Sequence, residues 1–243
     1  MEYRTKMVDW MIEVTTSFKC CPRTYFLAVA IFDKYLIAAN KRNKSLANKD
    51  IHSVGVISMY IASKFEDVFP LHSKVVSEKI AHGSISQKDI VRMEQEFLQF
   101  LDYDVDFVTP FDFHQTYIDK ISKKLNANLA LDGESSQFSD FCNQMTVPLA
   151  QMAMVLVKMA MQCQDFGHYS PSVVVMASVY ASTAFLKHSS AYRSEHTTRF
   201  CTGVRKIIFD ILAEELHEQQ TVLSLKREAL KALPDTCFTT YMN

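Results

Sequence analysis

The amino-acid sequence predicts an all-α protein: two tandem five-helix repeats followed by a short C-terminal helix. Three observations carry that prediction. Apolar residues recur at the three- and four-residue intervals of a helix face almost throughout. Only 5 Gly and 6 Pro occur in 243 residues, which disfavours sandwiches, barrels and glycine-rich nucleotide folds. A small-residue helix also recurs at a fixed offset, a sign of internal repetition.

The elements follow in order. Met7, Trp10, Met11, Val14 and Phe18 mark one face of a first helix. Pro22 suits a first-turn position, and Leu27, Ala28, Ile31, Phe32, Tyr35 and Leu36 form the stripe of a second. Residues 39–49 are polar, carry Lys41, Arg42, Lys44 and Lys49, and read as a solvated loop with Asn48 capping the next helix. A third helix covers 51–67, with Pro70 just past its end; a short one near 73–81 closes at Gly83. Ser86 then caps a fifth, bearing Ile90, Met93, Phe97, Leu98 and Leu101.

The pattern restarts at Thr109-Pro110, a cap followed by a first-turn proline. Helix over 111–125, loop over 126–137 and a long helix over 139–164 come next. Ser170-Pro171 opens a helix ending near His188, and helices follow at 195–201, 202–219 and 223–233. The expected domains are 1–108 and 109–243. Ser53–Ser63 matches Ser172–Ser182 without a gap, with Ser53/Ser172, Val54/Val173, Val56/Val175, Ala62/Ala181 and Ser63/Ser182 identical. The match breaks at Lys64, where the second copy has Thr183, so a specialised contact is expected in the first copy alone.

Composition excludes several function classes. With 26 basic against 27 acidic side chains, the chain lacks the basic excess that phosphate neutralisation calls for, so no nucleic-acid partner is expected. Cys20, Cys21, Cys142, Cys163, Cys201 and Cys237 show no CxxC pair or disulfide-framework spacing. Cys142 and Cys163 read as small hydrophobes in helices, in a reducing nuclear or cytoplasmic setting. The apolar stretches 147–160 and 173–186 are too short or too interrupted to predict a membrane partner. Met145, Met152, Met154, Met159 and Met161 crowd one helix and read as adaptable core. His217 among Glu214, Glu215 and Glu218 reads as an exposed acidic face. No phosphate loop, nucleophile elbow, catalytic carboxylate pair or metal-ligand spacing is present, so neither catalysis nor cofactor nor metal is expected.

Three motifs carry chemistry of another kind. Tyr3-Arg4-Thr5-Lys6-Met7-Val8-Asp9-Trp10 opens the first helix, Ala62-Ser63-Lys64-Phe65-Glu66-Asp67 ends the third, and Arg92-Met93-Glu94 lies on the fifth. In this order they resemble the cyclin family, most closely its mitotic A/B-type members, and the resemblance is strongest over 3–108. It implies two cyclin boxes and a regulatory subunit that binds and activates a cyclin-dependent Ser/Thr protein kinase. It also implies that Arg4 and Asp33 pair internally, tying the first helix to the second. By the same resemblance Lys64 and Glu94 bond backbone groups of the kinase's regulatory helix, within an apolar groove of Ile61, Phe65, Leu98 and Val105. Lys supplies only donors and an ionised Glu only acceptors, so the two together satisfy an incoming carbonyl and amide. The usual leucine before Val-Gly is Ser53 here.

Members that recruit substrates do so on the outer face of the first helix, where Tyr3, Met7 and Trp10 fall at i, i+4 and i+7 and Glu13 follows. Lys6 replaces an apolar residue there and His52 a glutamine, which disfavours an Arg-bearing docking peptide. A helix whose Trp10 is simply core fits the same spacing. Two alternatives share the fold: a transcription-type cyclin, and a scaffold or transcription-factor-IIB-like module that activates no kinase. The last calls for a basic face and a zinc ribbon, and neither is visible.

Overall fold

The computed structural model describes residues 2–232 except 44, 134, 164, 165 and 168. Among them there are nine α-helices and no strand. They are α1 (Glu2–Ser17), α2 (Pro22–Lys41), α3 (Asn48–Glu66), α4 (Ser73–Val75), α5 (Gln87–Phe100), α6 (Pro110–Leu131), α7 (Ser136–Gln162), α8 (Pro171–His188) and α9 (Glu195–Ala232). The short α4 runs directly into a π-helical turn, Val76–Ile80. Lys44, Gln164, Cys237 and the last residue of the expected 223–233 helix lie outside the described residues, as does the Glu218 side chain.

The helices belong to two compact units. The first holds the chain up to Asp119 together with Thr146–Ser182; the second holds Lys120–Met145 and the chain from Thr183 onward. In the first unit α2 is central. Phe26, Leu27, Ala28, Val29, Ile31 and Phe32 are wholly buried, because a helix apolar on every side must be covered on every side. α3 packs on α2, and α1 packs on both. Each large apolar side chain buried this way contributes about 1.5–3 kcal/mol. Tyr35 extends the core towards α5, with its ring 4.3 Å from that of Phe97 and 4.7 Å from that of Phe100.

Polar side chains fix where the helices end. Asp67, just past α3, accepts from Cys21 N at 2.6 Å and from the Thr24 and Ser63 hydroxyls at 2.8 and 2.7 Å. Ser63 in turn accepts from Leu71 N at 2.9 Å, so one carboxylate and one hydroxyl join the start of α2, the end of α3 and the loop beyond. Arg23 donates to Glu66 and, at 2.8 Å, to Asp112, which links α2 to the end of α3 and the first turn of α6. Asp112 also accepts from Thr109 N at 2.7 Å, closing the start of α6 around the Thr109-Pro110 signal. Burial pulls the Asp112 carboxyl upward, but its bonds to Arg23 and Thr109 prevail and hold it below the ordinary value.

Four expectations are corrected. α2 runs on to Lys41 and α3 starts at Asn48, so both helices reach into the expected loop; Ala47 is the N-cap and Asp50 accepts from its backbone N at 2.9 Å. α6 continues through the supposed loop to Leu131, because Leu125 and Leu129 keep its buried face going. α9 is one helix where three were expected; Phe200, Val204, Ile207, Ile208 and Ile211 form an unbroken buried stripe across Gly203. Cys163 is exposed just beyond α7, unlike Cys142, which is buried. By length and composition α7 would also pass for a membrane span. Leu149, Ala153 and Val157 form a buried stripe along it, while Val147, Val155 and Met159 are exposed, so the methionine-rich helix is core on one face only.

Candidate functional site

Two places in the first unit bring the sequence motifs together. At the first, the last turn of α3 is held from below by Ser63, Glu66 and Asp67, which turns Lys64 and Phe65 outward. Lys64 Nζ donates to Glu94 Oε1 of α5 at 2.6 Å and sits 5.3 Å from the centre of the Tyr60 ring. The bond to Glu94 raises the Lys64 pKa against the opposing effect of burial, so the ammonium is fully charged at neutral pH. The Glu94 side chain is 12% exposed, whereas that of Lys64 is 45% exposed. This bond uses one of the three Lys64 donors and one Glu94 oxygen, so the pair retains both donor and acceptor capacity.

The apolar surroundings differ in part from expectation. Phe65 is exposed and Leu98 half-buried, as a contact surface requires. Ile61, at 4% exposure, belongs to the core, and Val105 is nearly as buried. They support the face from beneath. The sequence reading missed Val68 and Phe69, 87% and 91% exposed directly after the motif, and Val91, one turn before Glu94 on α5. The signal was present: an apolar pair ahead of Pro70, past the end of α3, has no helix face on which to be buried.

Arg4 donates to both Asp33 oxygens at 2.7 Å and also to Met161 O at 3.1 Å, so it ties α1 to α2 and to the end of α7. At the α3–α8 sequence match, Ala62/Ala181 and Ser63/Ser182 precede residues with opposite environments. Lys64 is exposed, but Thr183 is fully buried and accepts from Arg205 Nε at 2.6 Å within the second unit.

The second place is a cavity of about 280 Å³ where α1 meets α3. Tyr3, Met7 and Trp10 line it from α1, and Ile51 lines it from α3. Lys6, His52 and His82 are also among its lining residues, whereas Glu13 is not. The Trp10 and His52 rings lie 5.3 Å apart. Burial, and then the neighbouring His82, lowers the His52 pKa. Met7 rests directly on Gly55: a Cβ there would fall 2.4 Å from the Met7 sulfur, so Met7 keeps this seat only beside a glycine. A larger apolar cavity of about 480 Å³, lined by Leu156, Met159, Val173 and Ala177 among others, involves none of the predicted site residues. Among the described residues no cluster of His, Cys, Asp or Glu is suited to hold a metal ion.

Residues 1–106 match the family model described as the cyclin N-terminal domain. Similar proteins include a G2/mitotic-specific cyclin-B of Emericella nidulans, 37% identical over 123 residues (51% of this chain and 24% of that protein). A G2/mitotic-specific cyclin-2 of Antirrhinum majus is 27% identical over 84% of this chain and 40% of its own length. An S-phase entry cyclin-5 of Saccharomyces cerevisiae is 26% identical over 92% of this chain and 48% of its own length. The chain thus spans between about a quarter and a half of these relatives. Among solved structures, a viral cyclin from herpesvirus saimiri superposes with a TM-score of 0.60 at 17% identity, over 88% of this chain and 85% of that one. At that identity the likeness concerns the fold.

Proposed function

The chain belongs to the cyclin family, and from that premise we propose that it is a regulatory subunit that binds and activates a cyclin-dependent Ser/Thr protein kinase and so controls cell-cycle progression. Members of the family regulate and do not catalyse. The observation that carries the reading is the Lys64–Glu94 pair, held at 2.6 Å beside exposed Phe65. In the proposed mechanism the pair opens towards the kinase. Lys64 donates to a backbone carbonyl and Glu94 accepts from a backbone amide of the regulatory helix and its approach segment, while Phe65 and Leu98 cover its apolar side. Because this face fits the active arrangement of that helix, binding shifts the kinase towards activity. Moving it from 1:99 to 99:1 needs a preference of about 10⁴-fold, roughly 5.5 kcal/mol. An interface of order 2,000 Å² is large enough to supply that.

The same reading takes residues 109–243 as a second repeat without its own kinase contact, in keeping with the buried Thr183. It takes the Tyr3–Met7–Trp10 face as a docking place for substrate peptides. The test is a pull-down from cell extract with wild type and the Lys64→Ala/Glu94→Ala double variant, assayed for histone kinase activity. Activity captured by wild type and lost with the double variant supports the proposal. No kinase activity in either capture overturns it.

A further inference from the structure

The second unit holds a cavity of about 320 Å³ bounded by α6, α7 and α9, and it shares no residue with the site described above. Leu125 of α6, Phe138 of α7, and Phe200 and Ile207 of α9 are buried and form its floor. Gly203 leaves the α9 wall bare: a Cβ there would meet Leu125 Cδ1 at 3.7 Å and nothing nearer. Charges of both signs stand at the rim. Lys206 and Asp210 lie one turn apart on α9, and Asp132 follows the end of α6. All three are exposed, and among the described residues no ion pair engages them. Arg199 also lines the cavity, but its guanidinium covers the Phe138 ring, 4.4 Å from the ring centre. Lys206 is the cation left to meet a ligand.

We propose that this cavity binds a free amino acid with an aromatic side chain. Its ring seats against Phe138 and Phe200, its carboxylate faces Lys206, and its ammonium faces the Asp132 and Asp210 carboxylates. The volume lies at the small end of ligand pockets, which span about 300–1,000 Å³, so it suits a compact molecule. A rim of one sign would select an acid or an amine. Both signs around one apolar floor select a molecule that carries both charges beside its apolar group. Each end of a peptide carries only one of those charges, so the free amino acid is the better match. Because the rim charges are exposed to water, each contact is worth a few-fold in affinity, and burial of the ring supplies the rest. Binding here neither uses nor requires the kinase contact.

The test titrates the 243-residue chain with phenylalanine, with phenethylamine, which lacks the carboxylate, and with 3-phenylpropionate, which lacks the ammonium. Amide shifts in NMR spectra give each affinity, and thermal melts show that the variants fold. Phenylalanine is expected to bind about threefold or more tighter than either analogue. Lys206→Gln is expected to erase its advantage over phenethylamine, and Asp132→Asn/Asp210→Asn its advantage over 3-phenylpropionate. Gly203→Phe places a ring of the chain's own in the cavity and is expected to abolish binding of all three. Lack of saturable phenylalanine binding overturns the proposal, as does an analogue that binds equally well or better. Unchanged preferences in the Lys206 and Asp132/Asp210 variants overturn it too, and these surface substitutions decide the matter even if Gly203→Phe does not fold.

Discussion

Lys64 and Glu94 lose different things when separated. Lys64 returns to water at little cost, whereas Glu94 keeps its carboxylate under partial cover. With Lys64 half-exposed and only one bond between them, the pair contributes about 1 kcal/mol to folding, less than a cation shared by two carboxylates. Lys64→Ala is therefore expected to change the urea midpoint only slightly while reducing kinase capture; a stability loss large enough to explain the lost capture would make the pair structural. Arg23 is the opposite case. It is the shared partner of Glu66 and Asp112, and its side chain is 22% exposed. Arg23→Ala leaves both carboxylates without their cation and is expected to lower the unfolding free energy by about 2–3 kcal/mol in urea denaturation. A third residue sets a pH dependence. His114 is 3% exposed; its Nε2–H donates to Ala150 O at 2.9 Å, and its buried Nδ1 has no hydrogen-bond partner among the described residues. Burial depresses its pKa, with the bond to Ala150 opposing. Below the ordinary value of about 6.5 the unfolded chain binds a proton that the folded ring resists, so stability falls as pH drops from there. His114→Gln is expected to flatten the fall in melting temperature between about pH 7 and pH 5. An identical slope in the variant would assign the effect elsewhere.

Two helix glycines make opposite predictions. In α3, a Cβ on Gly55 would meet Met7 Sδ at 2.4 Å and Cγ at 2.8 Å, so Met7 must leave its seat. In α9, a Cβ on Gly203 meets Leu125 Cδ1 at 3.7 Å, an ordinary contact. Gly203→Ala is therefore expected to stabilise the chain by about 0.5–1 kcal/mol through helix propensity. For Gly55→Ala the clash outweighs that gain, and a net loss of about 1–2 kcal/mol is expected. Chemical denaturation of the two variants checks both signs. The glycines also show how far sequence reading reaches. Caps such as Ser86, and Pro at 22, 110 and 171, were legible because each acts on its own neighbours. The end of α6 was not: Asn126 and Asn128 look like loop residues, while Leu125 and Leu129 four apart keep the helix packed. Thr202-Gly203 misled in the same way. For the site, Lys64, Phe65 and Glu94 were readable as a motif. That Glu66 and Asp67 of the same motif serve the fold, through Arg23, Cys21 and Thr24, emerged only once distant segments were placed side by side.

At the scale of the whole molecule, the matched helices α3 and α8 differ in how they are covered. Every residue from Val54 to Ser63 is buried, whereas α8 exposes Val173, Ala177 and Tyr180, one face at i, i+4 and i+7. Sequence likeness reported the helix but not its surroundings, because burial depends on which other helices cover it. The first unit also draws on more than the first five helices: it includes Thr146–Ser182, and Arg4 and Thr5 donate to Met161 O and Gln162 O at the end of α7. A fragment of residues 1–108 loses those acceptors and the rest of the first unit, although it contains Lys64, Glu94 and the whole of the family match. Such a fragment is expected to unfold at a lower urea concentration than the full chain and with a shallower transition, the mark of lost cooperativity. Urea titrations followed by circular dichroism decide this. Equal midpoints would mean that the first five helices form a self-sufficient unit, and that the α7 and α8 segments lie on it without stabilising it.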